Sequence, residues 1–217
     1  MDLESFTIAV LCVVEDLLAE SAADPGWRRV RRRGPAPVLA DSEVLTMELV
    51  GEFLGHDRDI AIYRYFRRDH PDWFPALSRV HRTTFTRQAA TLWALKERLW
   101  RLLLDRVLYD PRLSIVDSVP VPVCRFGRAR ACSRFKGEAA YGHDAGAKAT
   151  FYGFRDHLRV CWPGVVVAQQ MAAANVHDLA MVPELVDGAA GQVLGDRNYW
   201  APKLAAALAP AGVTLQA

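Results

Sequence analysis

The chain has 217 residues, which is enough for one large domain or for a small domain followed by a medium one. Apolar residues make up 51% of it and charged residues 24%, and these fractions exclude a disordered, collagen-like or coiled-coil protein. The net charge of +2 does not by itself indicate a polyanionic partner.

The longest apolar stretch, from Phe6 to Val14, is too short to span a bilayer and is closed by Glu15 and Asp16. No basic leader precedes it, and no small-residue cleavage site follows it. We therefore expect a cytoplasmic protein with no membrane partner.

The first hundred residues carry apolar side chains at helical spacing. Asp41 or Ser42 can cap the second helix, and Gly55 can end it. The pattern predicts an all-α N-terminal region over residues 1–109. The four predicted helices cover residues 6–19, 41–55, 59–68 and 84–107.

A run of five arginines precedes the second predicted helix, and it contains Arg28, Arg29, Arg31, Arg32 and Arg33. An arginine side chain holds phosphate through two parallel hydrogen bonds, so the run is suited to binding phosphate groups. The excess of arginine over lysine, 23 of 27 basic residues, also fits a GC-rich genome. Composition leaves both explanations open.

The pattern changes at Asp110-Pro111, where short β-branched segments begin. One helix is capped by Asn175 or Asp178 and runs to Val186, and another covers residues 202–208. Residues 123–150 show no clear period. These elements predict an α/β domain with a mixed sheet over residues 110–217. The five predicted strands cover residues 113–117, 151–161, 165–171, 192–196 and 212–215.

Two acids follow apolar strands. Asp117 ends the segment Ile115-Val116-Asp117, and Asp196 ends Val193-Leu194-Gly195-Asp196. Acids that leave neighbouring strand ends can share a hard cation such as Mg²⁺, which takes one or two protein carboxylates together with substrate phosphate. Asp is also a common turn residue, and position alone does not decide between the two roles.

A basic segment lies between the two acids, and its cations alternate with aromatic residues and glycines. Such a segment can follow phosphates and stack bases, or it can be a solvated loop. Its basic residues are Arg125, Arg128, Arg130, Arg134 and Lys136.

Histidines and cysteines give no independent site. His143, His157 and His177 are single histidines, which are more often structural than catalytic. The four cysteines form no CxxC pair and have no His at zinc-finger spacing, so we expect reduced thiols rather than zinc ligands.

Several segments together resemble the DDE-type transposases of bacterial insertion sequences, and they span nearly the whole chain. The first-acid strand (114–118) and the second-acid motif (195–199) resemble those of the family. The other segments that carry the likeness are residues 122–128, 135–138, 152–157 and 173–178, with 41–55 and 82–85 in the N-terminal half.

The resemblance implies an RNase H-like mixed sheet with flanking helices behind an all-α region, and a metal-dependent enzyme that cleaves and transfers DNA strands. Asp117 and Asp196 would be the first and second catalytic metal ligands, with Mg²⁺ as cofactor and Mn²⁺ as a substitute. The partners would be insertion-sequence ends, target DNA and further copies of the chain. The N-terminal region, residues 1–109, would bind DNA or pair subunits.

The chain departs from the family pattern in two places. Asn198 stands where the family usually has Gly, which Asn can replace because it tolerates left-handed backbone. The family's third acid, a Glu, follows the second by several dozen residues, and only 21 residues follow Asp196. We therefore expect an incomplete DDE domain over residues 110–217, interrupted before the third acid, with impaired catalysis.

Two alternatives remain. The first is a non-catalytic DNA-binding fragment that regulates or inhibits transposition, or a decayed remnant. The second is a metal-dependent nuclease unrelated to transposition, which the N-terminal likeness disfavours.

Overall fold

The computed structural model describes residues 1–24, 26 and 35–217. The chain divides into two compact units, Met1–Val107 and Leu108–Ala217. Each unit has its own apolar core. The predicted phosphate-binding arginines from Arg28 to Arg33 lie outside the described residues.

The first unit is helical, as the sequence predicts. Its apolar faces meet in one core that contains Phe66, Phe85 and Leu92. No described helix of the chain is long and apolar enough to cross a membrane. The helices are α1 (Leu3–Ala23), α2 (Asp41–Phe53), α3 (Asp59–Asp69), α4 (Arg82–Thr91) and α5 (Trp93–Leu104), with a 3₁₀ turn at Pro75–Arg79.

The prediction of one continuous helix over residues 84–107 is wrong, because the chain breaks between α4 and α5 at Leu92. The Thr91 hydroxyl donates to the carbonyl of Arg87 at 2.6 Å and to that of Gln88 at 2.9 Å. Threonine hydroxyls that bond back onto preceding carbonyls bend helices. Apolar periodicity continues across such a bend, so the sequence pattern does not show it.

The second unit is a six-stranded mixed sheet with two helices, which confirms the predicted α/β class. β1 is antiparallel to β3 and parallel to β5, and β6 continues the parallel edge. The strand order is β2-β3-β1-β5-β6, with β4 paired to β3. The strands are β1 (Asp110–Pro122), β2 (Ala140–Asp144), β3 (Ala149–Trp162), β4 (Val165–Ala173), β5 (Gly191–Leu194) and β6 (Val213–Gln216); the helices are α6 (Asp178–Leu185) and α7 (Pro202–Leu208).

The first strand is longer than predicted. The sequence pattern predicts a strand that ends at Asp117, yet β1 continues through Pro120 to Pro122. β5 pairs with β1 only as far as Ile115, so both prolines lie beyond that pairing. Proline is tolerated in a strand where no ladder partner needs its missing N–H.

The two faces of the sheet differ in what covers them. We call the face with Ser114, Val116 and Ser118 the helix face, because Val116 packs there against Val182 and Leu185 of the α6 helix. The opposite face, which we call the open face, carries alternate β1 residues from Ile115 through Asp117 to Val121. Ile115 is 54% exposed on this open face.

Candidate active site

The two predicted acids lie just beyond the point where β1 and β5 stop pairing. In the parallel pairing of β1 and β5, Ser114 lies opposite Val193 and Ile115 opposite Leu194. Asp117 and Asp196 each lie two residues beyond this last pair, and Asp196 follows the end of β5. Because neighbouring strands lie roughly 4.8 Å apart, we treat the two carboxylates as one candidate site.

Asp117 is exposed on the open face of β1. The Ser118 N–H donates a hydrogen bond to Asp117 Oδ1 at 2.7 Å. A carboxylate held by one backbone bond keeps lone pairs for a further partner. The Asp117 carboxylate therefore presents an oriented oxygen, able to act as a metal ligand, to solvent.

Asp196 is the N-cap of the 3₁₀ turn Arg197–Tyr199. Its Oδ1 accepts from the Asn198 N–H at 2.9 Å, and its Oδ2 accepts from Asn198 Nδ2 at 3.0 Å. The interpretation of Asp196 as a turn cap is therefore confirmed. The cap also fixes the orientation of the Asp196 carboxylate.

A buried polar cluster lies behind Asp117, on the helix face. Arg155 Nη1 donates to Ser118 Oγ at 3.0 Å and lies 3.9 Å from Asp178 Oδ1. His157 is fully buried, with Nδ1 3.6 Å from the same Asp178 oxygen. Among the described residues, neither ring nitrogen of His157 nor the Tyr199 hydroxyl has a hydrogen-bond partner.

Burial shapes the protonation states of this cluster. It lowers the pKa of His157, against a smaller opposing effect of Asp178, and so favours the neutral ring. Burial also raises the pKa of the Tyr199 hydroxyl, and the carboxylates of Asp178, Asp117 and Asp196 raise it further. Tyr199 therefore stays protonated.

The sequence did not reveal this cluster. Arg155 and His157 alternate on one face of β3, and this spacing was the only available signal. The predicted α6 cap at Asn175 or Asp178 is wrong, because His177 is the N-cap and its Nδ1 accepts from the Leu179 N–H at 3.2 Å. Asp178 is thereby free to face His157.

The carboxylate oxygens at the site meet only part of the ligand requirement of a hard cation. Asp117 and Asp196 supply carboxylate oxygens, the ligands that Mg²⁺ prefers. Asp178 does not join them, because it contacts His157 on the helix face while Asp117 lies on the open face. Within residues 1–24, 26 and 35–217, no group of three or more His, Cys, Asp or Glu is arranged to hold a metal.

The basic segment predicted from the sequence contains a 3₁₀ turn (Phe126–Ala131). All five of its cations are exposed, and none forms an ion pair with a described acid. Unpaired, solvated cations are available for phosphate. They are Arg125, Arg128, Arg130, Arg134 and Lys136.

Residues 110–217 match the family model described as Transposase DDE domain. The chain carries a transposase DDE domain. This finding confirms the resemblance drawn from the sequence. Comparison with curated proteins and with solved structures gives no match.

A transposase DDE domain implies DNA as the substrate. Transposase DDE domains generally use divalent metal ions. Both acids of the candidate site lie within the matched residues. The family match does not assign them a role, and their catalytic function stays a prediction.

Proposed function

We propose that the chain is an insertion-sequence transposase that cleaves and transfers DNA strands with Mg²⁺, and that its second unit has the RNase H-like fold. The observation that carries this proposal is that Asp117 and Asp196 each lie two residues beyond the last parallel pair of β1 and β5, Ile115 and Leu194. The sheet order supports the fold assignment, since three long antiparallel strands are followed by two short parallel ones.

Asp117 and Asp196 would hold the metal, with Mn²⁺ as a substitute for Mg²⁺. A bound ion of this kind activates an attacking water or a DNA 3′-hydroxyl and stabilises charge on the phosphate. The Ser118 N–H and the Asn198 side chain orient the two carboxylates. Water and phosphate oxygens would complete the coordination in this proposal.

The unpaired cations of the basic segment would bind the DNA backbone, together with the arginines from Arg28 to Arg33. Exposed side chains without acid partners lose no ion pair when they contact phosphate, which supports this assignment. Element ends and target DNA are the proposed ligands. The helical unit would bind DNA or pair subunits in a homo-oligomer, and the site of action would be the cytoplasm.

A strand-nicking assay tests the proposed function. Labelled DNA that carries the element end is incubated with the chain in Mg²⁺ and then in Mn²⁺. We expect metal-dependent nicking that Asp117→Asn and Asp196→Asn each reduce by at least about 100-fold, because each removes a ligand of the same ion. Asp187→Asn, at an exposed acid outside the site, is the matched control.

Equal nicking by all three variants would contradict the assignment of the two acids. If the chain nicks DNA without any divalent metal, the proposed cofactor is wrong.

A second candidate function is non-catalytic DNA binding that regulates transposition. Both oxygens of Asp196 are already engaged by Asn198, and the described residues supply no third acid at the site. In this case the chain inhibits a complete transposase at its DNA ends, and Asp117→Ala leaves that inhibition unchanged. Loss of inhibition in Asp117→Ala would exclude a purely DNA-binding role.

A further inference from the structure

Aromatic side chains gather on the open face of the sheet at the far end of β1 and β3. Tyr141 of β2 lies directly opposite Tyr152 of β3, and their ring centroids are 5.1 Å apart. Phe154 lies two residues further along β3, so it shares this face. Phe126 packs against Tyr141, and Phe135 packs against Phe154.

Three of these rings keep much of their surface open to solvent. Phe126 is 55% exposed, Phe135 is 53% exposed and Tyr141 is 50% exposed. Phe126 meets Tyr141 edge to face at 79°, and Phe135 meets Phe154 at 87°. An edge-to-face neighbour covers at most one side of a ring, so flat aromatic surface remains for another planar group.

The backbone of Phe135 is unusual. Its φ is +54°, in the left-handed region that large side chains rarely adopt. The Phe135 carbonyl accepts from the N–H groups of Glu138 and Ala139, at 3.1 and 2.9 Å. The turn thus holds the ring against Phe154 at a conformational cost, a feature found where a side chain is held for a ligand.

The charges around these rings point to one kind of ligand. The five unpaired cations of the basic segment alternate with Phe126 and Phe135 in the sequence. Duplex DNA offers phosphates to such cations but keeps its base faces stacked. Only unpaired nucleotides present phosphates and free base faces together.

The rings also share a face with the candidate metal site. Asp117 lies opposite Leu158, and Val121 lies opposite Phe154, in an unbroken antiparallel register. Four residues separate the two positions along the strand, which is about 13 Å. A DNA strand that lies on the open face at Asp117 can therefore continue onto the aromatic rings.

We propose that Phe126, Phe135 and Tyr141 form a stacking site for unpaired DNA bases next to the cleavage site. This proposal rests on the proposed function, because it takes DNA as the ligand. It adds that the DNA end is frayed when bound, with the cations holding its phosphates and the rings holding its bases.

A binding experiment without metal tests the stacking site. Fluorescence anisotropy is measured for the full chain with a labelled duplex and with the same duplex carrying a mismatched, unpaired end. We expect tighter binding of the frayed duplex. Phe126→Ala, Phe135→Ala and Tyr141→Ala should each weaken binding of the frayed duplex by about 5-fold to 100-fold and leave the paired duplex nearly unaffected.

Two controls separate stacking from loss of structure. Trp162→Ala removes an exposed aromatic ring at the opposite end of β3 and should leave both affinities unchanged. Phe126→Trp keeps a flat ring and should retain binding of the frayed duplex. The salt dependence should stay the same in all ring variants, because no phosphate contact is removed.

Equal affinity of the native chain for the two duplexes would overturn the stacking site. Equal losses in Trp162→Ala and in the three ring variants would overturn it too. The assay contains no metal, so its outcome is independent of catalysis. A chain that prefers frayed DNA but never nicks it supports the stacking site and contradicts the proposed enzyme.

Discussion

At the scale of single residues, the candidate site is surrounded by groups that tie its elements together. Arg155 joins three elements through Ser118 on β1, the carbonyl of His143 on β2 and Asp178 on α6. Ser118 in turn donates its N–H to Asp117. We infer that Arg155 helps to hold the end of β1 that carries Asp117.

Replacing Arg155 tests this role. Arg155→Lys keeps the positive charge. A lysine lacks the planar guanidinium with which Arg155 bonds several acceptors at once. We expect the substitution to lower the free energy of unfolding by about 0.5–1.5 kcal/mol, because the groups that Arg155 bonds are only partly buried. Urea denaturation measures the change. Arg159→Lys, on the same face of β3, is the control, and an equal loss there would contradict a specific role for Arg155.

Glu48 provides a pH prediction in the helical unit. Burial raises the pKa of Glu48, and the 2.6 Å contact with Lys96 offsets this only in part. The folded chain therefore binds the Glu48 proton more tightly than the unfolded chain. This contribution to stability is complete below the unfolded pKa and is lost as the pH rises through the folded pKa.

Glu48→Gln should remove this pH dependence. The free energy of unfolding of the variant, relative to the native chain, should rise between acidic and neutral pH. Urea denaturation across that range measures it. A relative stability that falls with pH would show that the ion pair with Lys96 outweighs burial.

At the scale of elements, the turn after β5 fixes the second acid. A Cβ built on Gly195 would lie 2.6 Å from the Tyr199 Cβ, so only glycine fits there. Tyr199 is almost fully buried in the core against α6 and cannot move aside. The turn that orients Asp196 therefore depends on Gly195.

Gly195→Ala should destabilise the second unit by about 1–3 kcal/mol, because a well-packed core must shift to admit a methyl group. The change should also displace Asp196 and lower any metal-dependent activity. Denaturant midpoints measure the stability. Gly127→Ala is the matched control, since a Cβ there meets nothing within 4 Å. Equal stability of the two variants would contradict the close contact.

Most elements were predictable because their residues carry local signals. The β-branched segment before Asp117 predicted β1, and apolar spacing predicted the helices. β2 was not predicted, since its sequence around Tyr141 lacks a strand pattern and pairing with β3 decides its structure. The two acids could be named as candidates because each follows an apolar strand. The contacts between Arg155, His157 and Asp178 depend on tertiary packing, which the sequence pattern does not show.

At the scale of the whole molecule, the net charge is small, and positive charge is concentrated in clusters along the chain. The net charge is +2, so the proposed affinity for DNA rests on clustered cations such as those of the basic segment. Each phosphate contact releases counterions from DNA. The salt dependence of binding therefore reports how many cations make contact.

Arg128→Ala and Arg130→Ala should each lower the slope of log affinity against log salt by about 0.9, the value for one phosphate contact on duplex DNA. Anisotropy titrations at several salt concentrations measure the slope. Lys203→Ala, at an exposed cation of α7, should leave it unchanged. Unchanged slopes in both arginine variants would place the DNA elsewhere.

The central claim is that Asp117 and Asp196 hold one divalent metal. Mn²⁺ binding to the full chain, followed by electron paramagnetic resonance, tests it most directly without needing the correct DNA end. We predict a site that is lost in both Asp117→Asn and Asp196→Asn and is retained in Asp187→Asn. Mn²⁺ binding that persists unchanged in both site variants would contradict the claim.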